Sequence, residues 1–167
     1  MEQAQADLVG ATIALEGDDS LLSLLAEMAE AIGGRPVLLP AGGKPAYHAA
    51  AMLAAGGLVG LLDAITEVAA QAGLDEQAAL AVYLPLARQA LANAERLGVD
   101  AALTGPFLRG DAGTVAGHLA VLAGAASGAL PLYLAVARRE LAIAERRGEL
   151  DGDRLDEIRR LLDRAAG

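Results

Sequence analysis

The sequence predicts a mainly α-helical protein introduced by a short β-α-β unit. Three observations carry that reading. Hydrophobic residues make up 54% of the chain, yet the aromatics are only three tyrosines and one phenylalanine; a core so rich in alanine and leucine is built from small, strongly helix-forming side chains. The β-forming runs are confined to the first forty residues. From Gly43 onward, capping residues, prolines and glycines punctuate segments of helical length.

Taken in order, Leu8–Leu15 (LVGATIAL) is a short apolar strand closed by Glu16-Gly17-Asp18-Asp19. Ser20 or Asp19 caps a helix over Leu21–Ile32, with apolar residues at 21, 24, 25, 28 and 32, and Gly33-Gly34 stops it. Arg35–Leu39 forms the second strand. Such a unit predicts parallel strands with a right-handed crossover. Two parallel strands make a poor sheet alone, so the unit is expected to belong to something larger or to pair with another chain. Lys44–Ala72 is expected to be one long helix, with Pro45 in the first turn, where proline costs little. Asp75 caps the next, Glu76–Leu97, which contains Pro85 and ends at Gly98. Residues 99–110 are expected to be an irregular connection. Asp111 caps Ala112–Ala123, Ala129–Arg147 follows, and Asp151 or Asp153 caps a final amphipathic helix, Arg154–Ala165. The division expected is residues 1–42 and 43–167.

Charge and composition exclude several classes. The 167 residues carry a net charge of −9 and no cysteine. The acidic balance argues against a nucleic-acid partner. The missing cysteines exclude a disulfide scaffold, and with only His48 and His118 no zinc site or other metal is expected. MEQAQADLVG lacks the basic and apolar regions of a signal peptide, so a cytoplasmic location is expected. Two uncharged runs, 45–62 and 112–137, approach or exceed the roughly 20 residues that cross a bilayer. Both are rich in alanine and glycine, each holds a histidine, and Ser127-Gly128 with Pro131 breaks the second. Burial against other helices or a second subunit is therefore expected rather than a membrane.

The motifs are few. No G-x-G-x-x-G and no G-x-x-x-x-G-K-[ST] occurs. Gly42-Gly43-Lys44, opening a helix, is a faint echo of a phosphate loop. Gly56, Gly57 and Gly60 fall inside a helix, where each costs around 1 kcal/mol against alanine, and close helix packing explains them more simply than a ligand. Lys44 and His48 are four residues apart on one helical face beside Tyr47. Such a pair can transfer protons beside a groove, though a capping-region lysine and a half-buried histidine have the same spacing. His118 is read as structural. In TGPFLRGDAGT (104–114), an arginine, a hydroxyl and a helix N-terminus come together, which suits a carboxylate or phosphate and equally a well-capped turn. Asp111 is needed as that cap, so Arg109-Gly110-Asp111 is not taken as an adhesion motif.

At KPAYHAAA (44–51), LLDA (61–64), PLARQALANAERLG (85–98) and ALTGPFLRGDAGTVAGHL (102–119), the chain resembles the C-terminal part of a bacterial family of Rossmann-like proteins. These join an NADP-oxidoreductase-type nucleotide domain to a helical C-terminal domain of unknown function, akin to 6-phosphogluconate dehydrogenases. The resemblance implies a helical dimerisation domain of the 6-phosphogluconate dehydrogenase C-terminal type, preceded by the last β-α-β of a nucleotide domain. It further implies Lys44, His48 and Asn93 as catalytic residues facing a cleft, and Thr104, Pro106, Arg109 and Asp111 as substrate-binding residues beside it. Relatives commonly carry a Ser-Asn-aromatic run where this chain has Ala55-Gly56-Gly57. The dinucleotide fingerprint is missing from the sequence. The expectation is therefore a homodimeric substrate-side domain that is inactive alone. It would use NADP only through a complementing nucleotide-binding domain, such as a separate Rossmann-type subunit. The alternative is a non-catalytic helical scaffold or a small-anion binding module.

Overall fold

A computed structural model describes residues 9–167. It is mainly α-helical, with a two-stranded parallel sheet at its start. The chain divides into two compact units, Met1–Leu58 and Val59–Gly167.

In the first unit, β1 (Thr12–Leu15) and β2 (Arg35–Leu38) pair in parallel, Thr12 opposite Arg35 and Leu15 opposite Leu38. Between them runs α1 (Asp19–Ala31). The first strand is shorter than its apolar run, because Val9-Gly10 forms a turn; Leu8 lies outside the described residues. Asp18, not Asp19 or Ser20, is the cap residue, and its side chain makes no capping bond. Gly34 is required where α1 returns to the sheet, since a Cβ there would collide with the Ile13 side chain. The unit buries Leu15 and Ala29 but leaves Leu21, Leu24, Met28 and Ile32 about half exposed. The stripe of apolar residues anticipated on α1 is thus mostly a half-exposed face among the described residues.

The long helix expected over Lys44–Ala72 is two helices. α2 (Lys44–Ala54) and α3 (Gly56–Ala70) are separated by Ala55, whose φ of −110° and ψ of −78° lie at the edge of the right-handed helical region. The break falls where Gly56-Gly57 gives least resistance to unwinding. By length and composition Lys44–Ala70 is apolar enough to cross a membrane.

The second unit continues with α4 (Glu76–Leu97), opened by Asp75, whose carboxylate accepts from the Ala78 N–H, and closed by Gly98. The connection expected to be irregular contains two single-turn helices, α5 (Val99–Ala102) and α6 (Pro106–Arg109). Phe107, the chain's one phenylalanine, sends its ring from α6 into the core and so orders the segment. α7 (Ala112–Ala123), α8 (Leu130–Arg147) and α9 (Gly152–Ala165) complete the unit, α9 capped by Asp151. Their apolar faces meet in one core around Val115, Leu134, Leu141, Ile158 and Leu162. A smaller cluster of Leu122, Ala126 and Ala129 receives Ala64 and Val68 of α3. Two hydrogen bonds fasten α3 there: Glu67 Oε1 accepts from the Ala129 N–H at 3.3 Å, and Gln71 Nε2 donates to the Ala125 carbonyl at 3.4 Å.

Candidate functional site

The site residues anticipated from sequence fall into both units: Lys44 and His48 in the first, and Asn93, Thr104, Pro106, Arg109 and Asp111 in the second. In the first unit, an open depression of about 580 Å³ is lined by Thr12, Ile13 and Ala14 of β1 and by Lys44, Pro45, Tyr47 and His48 of α2. The i, i+4 spacing of Lys44 and His48 thus sets both against one concave surface. Among the described residues, no carboxylate forms an ion pair with Lys44.

The turn that carries them is held by a residue sequence reasoning missed. Glu16, directly after β1, accepts from the Gly42 N–H at 2.7 Å and from the Lys44 N–H at 2.9 Å. Those two backbone bonds, Gly42 first, hold its carboxyl below the usual glutamate range. Gly43, the N-cap residue of α2, has no side chain to do this. A Cβ at Gly43 would stand 2.8 Å from the Pro40 carbonyl, and Gly42 has φ +78°, so both glycines are required by the turn. No spacing rule links a carboxylate to amides 26 and 28 residues away, and nothing local in Glu16-Gly17-Asp18 betrays the bond.

That bond bears on the phosphate-loop echo at Gly42-Gly43-Lys44. The amides that would meet an anion already hold an internal carboxylate, which repels a second negative group. The Gly42-Gly43-Lys44 turn, its amides occupied by Glu16, therefore does not fit a dinucleotide pyrophosphate.

In the second unit, the 104–111 segment is built as a brace. Asp111 Oδ1 accepts from the Thr114 N–H at 3.0 Å and Oδ2 from the Thr114 hydroxyl at 2.6 Å. These bonds, the hydroxyl's first, lower its carboxyl below the usual aspartate range. The Arg109 carbonyl accepts from Arg154, and Arg147 donates to the carbonyls of Asp100 and Leu103. Gly110, at φ +65°, leaves room that a Cβ would take from Arg154, whose Cδ would lie 2.9 Å away. Arg109 and Thr104 are exposed. Asn93 accepts from the Gln89 side chain at 3.0 Å along the surface of α4. His118 Nδ1 lies 3.0 Å from the Tyr133 hydroxyl, with the rings edge-on at 6.0 Å. Burial, with the Glu140 charge second, pushes the Tyr133 hydroxyl up to about 12.

Fold and site together define a mainly helical protein that carries a parallel β-α-β unit and a lysine–histidine pair on the first turns of the following helix. The family model described as Domain of unknown function (DUF2520) matches residues 11–140, and the chain belongs to that family. Compared with curated proteins and with solved structures, it gives no significant match.

Proposed function

We propose that this chain is the substrate-side and dimerisation part of a Rossmann-type NAD(P)-dependent oxidoreductase, with a helical domain of the 6-phosphogluconate dehydrogenase C-terminal type. The observation that carries the reading is the depression shared by β1 and the Lys44–His48 face. In open α/β proteins, ligands bind where strands hand over to the following segments. The parallel β-α-β supports the same reading, since it leaves apolar α1 surface to be covered by more of a nucleotide domain. In this proposal residues 1–42 are the end of that domain and residues 43–167 the helical one. Lys44 and His48 hold and move a proton on a small substrate, and Asn93, Thr104, Pro106 and Arg109 keep the catalytic and substrate-binding roles that the resemblance implies. The dinucleotide comes from a complementing Rossmann-type domain or subunit, and the protein works as a cytoplasmic homodimer without nucleic acid or membrane.

The test is a fluorescence titration with NADPH followed by complementation. These 167 residues alone are expected to bind NADPH with a Kd weaker than ~10 μM. With a dinucleotide-binding domain supplied, NADPH-dependent reduction of small oxo acids is expected, and Lys44→Met should lower kcat while leaving the fold unchanged. Turnover unaffected by Lys44→Met would refute the roles assigned here. The bonds that brace residues 100–111 favour a second reading, a helical scaffold without chemistry, in which complementation yields no turnover.

A further inference from the structure

Glu16 does more than tie the turn before α2, and we infer that it sets which anion the Lys44–His48 depression takes: one carboxylate on an apolar body, with phosphorylated acids turned away. This rests on the reading of that face as the substrate side and names the substrate class it accepts. Glu16 touches no substrate in this scheme. It is a specificity-determining residue that acts through the turn.

Three observations converge on that class. The first is charge. Among the described residues that line the depression, Lys44 is the one lysine or arginine. Arg35, the other base of the first unit, is engaged by the Gly10 carbonyl at 3.1 Å. One ammonium offsets one carboxylate, whereas a phosphate ester adds roughly −1.5 to −2 more. In a chain of net charge −9 nothing else on this face compensates it.

The second is the helix end. A phosphate beside a helix start ordinarily finds its donors in the first backbone N–H groups. Here the Glu16 carboxylate has taken the Gly42 and Lys44 amides, and its charge is felt by Lys44. Pro45, next in the turn, has no N–H to offer. A substrate phosphate therefore meets a negative group where it needs donors.

The third is the wall. Ile13, Ala14, Pro45 and the Tyr47 ring present carbon, and the polar groups beside Lys44 are the Thr12 and Tyr47 hydroxyls and the His48 imidazole. A polyhydroxylated sugar acid would set several hydroxyls against carbon, and polar groups desolvated without partners are costly. A short branched hydrocarbon loses nothing there and gains by leaving water. The class that fits is a small, unphosphorylated oxo acid with an aliphatic side chain.

Chemical-shift titration of the isotope-labelled full chain tests this, with 4-methyl-2-oxopentanoate, 6-phosphogluconate and inorganic phosphate as probes. The oxo acid is expected to shift the Thr12, Lys44 and His48 signals and to bind at least tenfold tighter than either phosphate-bearing probe. Lys44→Met should weaken it at least tenfold. Glu16→Ala, which frees both amides, should raise the affinity for inorganic phosphate at least tenfold. In case that variant loosens the turn, Glu16→Gln keeps an oxygen for one amide, removes the charge and should raise it at least threefold. An oxo acid that leaves those three signals unmoved overturns the proposal. So does oxo-acid binding untouched by Lys44→Met, a wild type that holds phosphate as tightly, or a phosphate affinity unchanged in both Glu16 variants. Selection of the oxo acid without turnover on complementation would uphold the role of Glu16 and sink the oxidoreductase reading. Turnover of the phosphorylated acid in preference to the oxo acid would do the reverse.

Discussion

The two units solve the same problem from similar material with opposite results. Both are rich in leucine and alanine. The second gathers Phe107, Val115, Leu134, Leu141, Ile158 and Leu162 into one core, whereas among the described residues of the first Leu15 and Ala29 are the buried hydrophobics. In the second, three long helices in succession supply facing apolar surfaces. In the first, α1 packs on two short strands and, among the described residues, leaves Leu21, Leu24, Met28 and Ile32 about half exposed. Apolar composition therefore sets how much surface should be hidden, and the number of neighbouring elements sets how much can be.

The largest test of that contrast is Phe107→Ala. Truncating a buried phenylalanine typically costs about 3–5 kcal/mol. Here it should also release α6, so urea denaturation is expected to show a loss in the upper part of that range. A loss below ~1 kcal/mol would mean that the 104–111 segment is not held by the core and is free for ligand contacts. Next comes Ile158→Ala in α9, with an expected loss of about 2–5 kcal/mol by the same mechanism. Ile158 is fully buried, and its neighbours belong to helices already packed on other sides, so the cavity should not collapse.

How much of this was legible in the sequence follows the same division. Asp75, Asp111 and Asp151 each sit just before an apolar helical segment and each accepts from the N–H three residues on, as local chemistry anticipates. The parallel pairing of the strands was legible too, because strand–helix–strand spacing leaves little choice. The break at Ala55 was not, since alanine is the best helix former and the glycines after it only weaken the helix. Lys44 and His48 could be set together by spacing alone. Glu16 could not, because its role depends on two strands lying side by side. The exposed stripe on α1 was legible as apolar and misleading as core: periodicity identifies a face and is silent about whether anything covers it.

The Glu16 bond yields a smaller effect, confined to the first unit. Its carboxyl is lowered in the folded chain, so the contribution is fully present above the unfolded value near 4.5 and is lost as pH falls through the lower folded value. Above pH 5 the Gly42 and Lys44 amides should be protected from exchange and shifted downfield. Both should titrate together, with a midpoint below the ordinary glutamate value. Glu16→Ala should abolish that titration and leave the α7–α9 core signals unmoved. Amides that titrate independently would show that no shared carboxylate holds them.

The smallest effect is expected where the comparison is sharpest. Leu24 and Met28 on α1 are 53% and 57% exposed, so converting either to serine removes little buried surface. Surface substitutions of this kind fall within about ±0.5 kcal/mol. The urea midpoint of the chain should therefore barely change, although the same change at Leu134 or Leu162 would be severe. Their cost should appear only when a complementing domain covers α1, as a weaker association of the two. If Leu24→Ser and Met28→Ser already destabilise the chain alone by more than about 1.5 kcal/mol, the stripe is buried in solution. The contrast between a well-buried second unit and a sparsely buried first one then fails, and with it the proposal that a partner covers α1.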